Sequence, residues 1–280
     1  MTQHLTSGGF AAARSSEVRG DVRVGVVPDT WAPAGRAHGG MLLATALVAL
    51  AAEVEHPDPL SVTAHYLRPA GAGPIELRTE LVRTGRAHAT AAGSVWQDGA
   101  ERMRLLALFG TLPIDADRTL PPPGPLPRPG ACVPVRDTGA MGMLPTDYPA
   151  DLDVRLDPAT PWLAGQRGGA AAVEGWVGFV DGHAVDAFDL ALFADAFPPA
   201  LLSAQAASAF PTLELTVHVR ARPRGRNVRG RFTTDVVAGD YVDESGWLWD
   251  ESGRLVAMSR QLALVVGRGV DAAASPAVGR

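Results

Sequence analysis

The sequence contains no lysine, and all 25 of its basic residues are arginines. Chemistry that depends on a titrating amine is thereby excluded: a Schiff base, a pyridoxal cofactor or the lysine of a phosphate-binding loop. Cysteine is nearly as scarce. Cys132 is the single cysteine and sits in a proline-rich stretch, so the chain has no disulfide framework, thiolate metal cluster or paired redox motif. A nucleophilic role for it would require a helix N-terminus or a basic neighbour to stabilise the thiolate. Long hydrophobic runs are also missing. The longest, residues 41–52, ends at Glu53; it falls short of the about 20 residues that span a bilayer and reads as a buried helix. The opening MTQHLTSGGF lacks the basic and then apolar order of a secretory signal, and a cytoplasmic location is expected. The net charge of −5 argues against a nucleic-acid partner.

The 280 residues, 46% hydrophobic and 20% charged, are enough for one large domain or two ordinary ones around a buried core. Residues 112–134 read LPIDADRTLPPPGPLPRPGACVP, where prolines remove backbone donors and forbid helix interiors and central strands. The irregular character continues to residue 166. The expected organisation is therefore a folded half over 1–112, a Pro-rich linker over 113–166, a second folded half over 167–267 and a frayed tail over 268–280.

The two halves repeat one another. An apolar helical run opening at Gly39 and Gly40 leads into SVTAHY and then three strand-like segments; a helical run from Ala187 to Phe197 leads into LTVHV and three more. Each series is preceded by a further strand, near 17–27 and near 170–180. Thr63 to Trp96 and Thr216 to Trp249 both span 33 positions, and both series begin Thr-x-His, which favours internal duplication. A helix as apolar as MLLATALVALAA must be covered nearly all round. The expected fold is thus α+β: two tandem hotdog units, each a long apolar helix wrapped by a curved antiparallel sheet. Gln97-Asp98-Gly99 and Glu251-Ser252-Gly253 read as hairpin turns.

Several side chains stand out chemically. Asp195 lies within LFADAF, so its carboxylate leaves an apolar helix either toward a core, where desolvation would make it a stronger base, or toward solvent on an outer stripe. Gln261 shares a strand face with Ser259 and Ala263; facing inward it would need a polar partner, and facing outward it would be an ordinary sheet residue. Gly39 and Gly40 either present helix N-terminal N–H groups to a developing oxyanion or only allow close helix–sheet packing. Asp186 and Asp189 read as helix-capping charges. The arginines from Arg220 to Arg231 read as a charged sheet edge that could also attract phosphates. The histidines, including His38, His56, His65 and His218, have no metal-ligand spacing, and neither a metal nor another cofactor is expected.

In their order, His38-Gly39-Gly40, Tyr66-Leu67-Arg68-Pro69, Gly85-Arg86 and Gln97-Asp98-Gly99, followed by Ala194-Asp195, Thr212, the run Asp250 to Ala257 and Gln261, make the chain similar to the TesB-like acyl-CoA thioesterases, the double-hotdog family. The resemblance implies hydrolysis of an acyl-CoA thioester by water without metal or covalent intermediate. The catalytic residues it implies are Asp195, Thr212 and Gln261, with His38, Gly39 and Gly40 on the oxyanion and substrate side. Thr216 rivals Thr212, because a strand of period two places both hydroxyls on one face, about 13 Å apart. Leu47, Phe193 and Phe197 are candidates for the acyl pocket. Two other functions fit a hotdog: hydration or dehydration of an enoyl or hydroxyacyl thioester, for which His38 with Asp195 is the only plausible pair, and acyl binding without catalysis. Sheet faces of this kind commonly pair, so a homo-oligomer is expected.

Overall fold

The computed structural model describes residues 10, 14–20, 22–113, 119–138, 148–205, 207 and 209–267; the tail expected over 268–280 lies outside them. Thirteen strands among these residues form one antiparallel sheet. Six belong to the first half: β1 (Ser16–Arg19), β2 (Val22–Val27), β3 (Asp58–Tyr66), β4 (Gly73–Arg83), β5 (Ala89–Gln97) and β6 (Ala100–Gly110). Seven follow: β7 (Val133–Pro134), β8 (Leu152–Leu156), β9 (Ala172–Phe179), β10 (Thr212–Val219), β11 (Asn227–Ala238), β12 (Tyr241–Asp250) and β13 (Leu255–Leu264). The described α-helices are α1 (Gly39–Ala51), the single turn α2 (Val135–Thr138) and α3 (Asp189–Phe193).

The strand order is β1-β2-β4-β5-β6-β3-β10-β13-β12-β11-β9-β8-β7. Read outward from its centre, β3-β6-β5-β4-β2 on one side matches β10-β13-β12-β11-β9 on the other, strand for strand. At the centre Thr63 pairs with Thr216, 153 positions away, and their hydroxyls are 2.9 Å apart. The repeated Thr-x-His motif thus meets itself on the local two-fold axis. The turn between β5 and β6 places both Asp98 (φ 54°) and Gly99 (φ 73°) in the left-handed region, as a tight hairpin requires.

The core is built on α1. Gly40 to Leu47 are buried on every side, as are Ala49 and Leu50, and the helix packs on β3, β4, β5 and α3. Its lack of a polar stripe is the reason it cannot lie on a surface. The second half departs from this plan. In place of a helix from Ala187 to Phe197 it forms only the five residues of α3, followed by a loosening turn and then Pro198-Pro199, which have no N–H groups to continue the ladder. Nor is the first strand continuous: residues 17–27 are the hairpin β1–β2, turning at Gly20 with φ 62°. Asp186 and Asp189 do accept local backbone N–H bonds as capping charges, and both also hold the Arg14 guanidinium, at 2.6 and 2.7 Å.

Residues 113–166 are more than a linker. They contain β8, which extends the sheet beside β9, and a proline-rich strap whose carbonyl oxygens accept side-chain donors from the sheet. Pro127 O accepts Trp176 Nε1 at 2.8 Å, Gly124 O accepts Arg229 Nη1 at 3.0 Å, and Leu120 O accepts Trp249 Nε1 at 2.9 Å. Trp176, Arg229 and Trp249 are register partners in one row across β9, β11 and β12. A segment poor in N–H groups offers acceptors, and the row supplies the donors. Arg229, 6% exposed, also pairs with Glu174 and lies inside the structure rather than on a sheet edge. Cys132 under the strap is buried, its thiol pushed up to about 11 by burial, which removes it as a nucleophile near neutrality. Replacing Arg229 by Met should leave Glu174 Oε1 and two carbonyls without their donor, with only Arg231 still on Glu174 Oε2, and lower stability by about 3 kcal/mol; urea denaturation of the two proteins checks it, and an unchanged midpoint would show that the strap is not anchored this way.

Candidate active site

Asp195 stands just beyond α3, where the chain is still turning: its N–H reaches Leu192 O at 3.1 Å. The carboxylate crosses to the other half, and Oδ2 accepts the Gly40 N–H at 2.7 Å. That N–H belongs to the first turn of α1, where donors have no partner within the helix and the dipole favours negative charge. A Cβ on Gly40 would fall 2.7 Å from Leu192 O, and one on Gly39 would fall 2.9 Å from Asp195 Oδ2. The glycine pair therefore serves close packing and backbone donation together. It differs from expectation in one respect: the Gly40 N–H is engaged by Asp195 rather than left for a thioester oxygen.

His38 precedes the glycines, with Nδ1 3.8 Å from Asp195 Oδ2 and the two side chains 13% and 15% exposed. Burial lowers the His38 pKa more than Asp195 raises it, so the imidazole is neutral at physiological pH. Burial raises the Asp195 pKa, opposed by His38 and the Gly40 N–H, which makes it a stronger base than an exposed aspartate. Two tyrosines that sequence reasoning left without a role complete this side. Tyr66 donates to Gly39 O at 3.1 Å, and Tyr148 donates to Ala196 O; burial raises both phenols, which stay neutral.

The opposite wall comes from β10, β12 and β13. Gln261 Nε2 donates to Thr212 Oγ1 at 2.5 Å. Gln261 faces inward because its partners across the sheet are buried Leu215 on β10 and cavity-lining Glu244 on β12. Thr212 and Thr216, expected on one face, are on opposite faces. The register of β10 against β13 shifts between Thr212 and Glu214, and this bulge reverses the alternation. Thr212 turns to the cavity, while Thr216 meets Thr63 and Glu214 on the outer face. Glu244 was not anticipated either. An inward carboxylate alternating with Gly246 and Leu248 along β12 was the available signal.

Both walls enclose a cavity of about 620 Å3 that reaches past Phe197, Leu201, Phe232 and Val242. Of the residues expected in an acyl pocket, Phe197 lines it, whereas Leu47 and Phe193 are wholly buried in the core. The cavity opens where α3 stops. In the first half α1 runs on, with Leu50 packed near Gly93 of β5. The positions that match Thr212, Glu244 and Gln261 there are Pro59, Ala91 and Ala107. Both alanines are at most 1% exposed. The duplicated fold therefore carries one polar site and one filled core.

Comparison with known proteins identifies the family. Residues 27–110 match the model of the acyl-CoA thioesterase N-terminal domain, and residues 129–265 match that of the acyl-CoA thioesterase C-terminal domain. A solved Thermobifida fusca protein assigned as a thioesterase II is 28% identical, with a TM-score of 0.83 over 91% of this chain and 97% of its own. A hotdog-fold protein of unknown function from Alicyclobacillus acidocaldarius aligns at 22% identity and TM-score 0.79, over 91% of this chain and 97% of its own. An uncharacterised Mycobacterium tuberculosis protein is 27% identical over 263 residues, 86% of this chain and 90% of its own. The chain belongs to the acyl-CoA thioesterase family and is a thioester hydrolase. Gly40→Ala should push the Leu192 carbonyl and Asp195 out of place, with a loss of about 1–3 kcal/mol typical of overpacking; a melting temperature equal to the parent's would show that the two halves are not in such close contact.

Proposed function

We propose that the chain hydrolyses acyl-CoA thioesters in this cavity, with Asp195 as general base and Thr212 and Gln261 positioning the water. The observation that carries the reading is the convergence on one cavity of a desolvated carboxylate and a Gln–Thr pair from different strands. Because the Gln261 amide donates to Thr212 Oγ1, the Thr212 hydroxyl keeps its own proton to donate onward, which orders a water against a carboxylate. Asp195 takes a proton as the water oxygen bonds to the thioester carbon. The tetrahedral intermediate then collapses, the carbon–sulfur bond breaks, and the same proton passes to the CoA sulfur, giving free acid and thiol. The carbonyl oxygen faces the start of α1, with His38 and Gly39 beside it. The acyl chain follows Phe197 and Phe232, and Arg36 and Arg68, exposed where they line the cavity, lie toward the CoA phosphates.

The finer architecture belongs to the same proposal. The chain is a tandem hotdog with its halves near 1–112 and 167–267, acts in the cytoplasm without cofactor, and assembles as a homo-oligomer of these internal pseudo-dimers. The mirrored strand order and the hotdog-fold relatives support the first point. A second reading, hydration or dehydration of an acyl thioester, is favoured by one observation, the 3.8 Å approach of His38 to Asp195. Product analysis separates the two: hydrolysis releases free thiol, and hydration alters a double bond without releasing it.

Asp195→Asn is expected to reduce kcat by roughly 100-fold with the fold retained, the scale of a lost general base. Thr212→Val should cost about 10-fold, near 1.4 kcal/mol, while Thr216→Val leaves turnover intact and affects only stability. Steady-state thiol release and melting temperatures for the three variants provide the check. Turnover lost in Thr216→Val and kept in Thr212→Val would reverse the assignment.

A further inference from the structure

Two polar side chains interrupt the apolar wall of the cavity. Phe197 and Phe232 pack with ring centroids 5.0 Å apart, and Leu201 and Val242 line the space with them. Glu244 stands two positions from Val242 on β12, and Thr234 two positions from Phe232 on β11; both line the cavity. They are also neighbours across the sheet. Thr234 and Asp235 form a bulge opposite Glu244, between the pairs Thr233–Ser245 and Val236–Asp243, and Asp235 is exposed while Thr234 is on the cavity side. Glu244 Oε2 accepts the Ala200 N–H at 2.7 Å, the first N–H after the Pro198-Pro199 step. Glu244 Oε1 meets no donor among the described residues, and Thr234 Oγ1, on a residue only 8% exposed, has no partner either.

An unpaired carboxyl oxygen and an unpaired hydroxyl in such a wall cost free energy. The fold does not require them, because the first half carries Leu81, Ala91 and Ala107 where the second carries Thr234, Glu244 and Gln261, in strands of the same register. Anchoring Ala200 does not require them either. It uses one oxygen, which a glutamine carbonyl would supply as well. A hydroxyl on the acyl chain matches the pair, since its proton can donate to Glu244 Oε1 while its oxygen accepts from Thr234 Oγ1. Plain hydrocarbon would leave both unpaired, and an ammonium would bring three donors to two acceptors and bury the third. Glu244 lies one strand spacing, about 5 Å, beyond Gln261. The hydroxyl it could meet is therefore several carbons from the thioester.

We propose that the acyl group selected by this cavity carries a hydroxyl far along its chain, bound between Glu244 and Thr234, and that these two residues determine specificity. The inference rests on the thioester being seated between Asp195 and the Thr212–Gln261 pair. The experiment compares kcat/KM for thiol release from 6-hydroxyhexanoyl-CoA and from heptanoyl-CoA, which has a methyl group in place of the hydroxyl, in the parent, Glu244→Gln and Thr234→Val. The parent should favour the hydroxylated substrate by about 10-fold or more. Glu244→Gln keeps an acceptor for the Ala200 N–H but has one oxygen for two donors, so the ratio should fall by about 10-fold. Thr234→Val, nearly the same in volume, should lower it by about 3-fold. A structural role alone would slow both substrates together and leave the ratio where it was. A parent that favours heptanoyl-CoA, or a ratio unchanged in Glu244→Gln, would overturn the proposal. Absence of thiol release from every acyl-CoA would instead overturn the catalytic reading. Calorimetric binding of the non-hydrolysable thioether analogues of the two substrates would then still decide whether the cavity prefers the hydroxyl.

Discussion

A carboxylate without a cationic partner can remain in a protein interior only where donors come to meet it, and here the donor is the backbone of the opposite half. The bond from the Gly40 N–H to Asp195 Oδ2 fixes the start of α1 against the end of α3. The adjoining features follow from it. Residues 39 and 40 must lack side chains, His38 is brought beside the carboxylate, and Tyr66 closes over the Gly39 carbonyl. A charge that would otherwise be too costly to bury is thereby held in one orientation.

Asymmetry within a duplicated frame gives that charge a place to work. Both halves contribute the same five-strand series, and the same bulge recurs in β3 between Pro59 and Ser61 and in β10 between Thr212 and Glu214. The frame is conserved between the halves while its contents differ. Where the first half continues α1 for 13 residues and fills its concave face with alanine and leucine, the second stops after a five-residue helix at a Pro-Pro step. The space so released is the cavity, walled by Thr212, Glu244 and Gln261 in place of Pro59, Ala91 and Ala107. Loss of helix on one side and gain of polar side chains on the facing strands are therefore a single change seen from two directions.

Much of this was legible in the sequence, and the failures have local causes. The repeat was visible because Thr63, Trp96, Thr216 and Trp249 keep their spacing, and pairing of Thr63 with Thr216 gives that spacing a physical basis at the centre of the sheet. Asp195 was conspicuous as a charge in an apolar run. The pattern overstates the extent of α3 because residues 187–197 are apolar and alanine-rich apart from Asp189 and Asp195, and hydrophobicity alone does not show that tertiary contacts will let the helix end before the prolines. The parity of Thr212 and Thr216 is not legible in the sequence because a bulge leaves no mark in alternation unless glycine announces it, and Leu213 does not. The strap reads as a linker because prolines do forbid regular structure; the compensating donors, Trp176, Arg229 and Trp249, lie far away in sequence. Glu244 escaped notice for a related reason: its setting depends on which face of β12 points inward, and only the pairing with Gln261 fixes that.

The account stands on one arrangement, a thioester seated between the Asp195 carboxylate and the Thr212–Gln261 pair. The most direct measurement is a crystal structure of the Asp195→Asn variant with an intact acyl-CoA. The account predicts the thioester carbon beside the residue 195 side chain, a water on Thr212 Oγ1 within reach of that carbon, and the acyl chain running past Phe197 and Phe232. An acyl-CoA bound with its thioester away from this cavity, or with Thr212 and Gln261 remote from the reacting carbon, would contradict it.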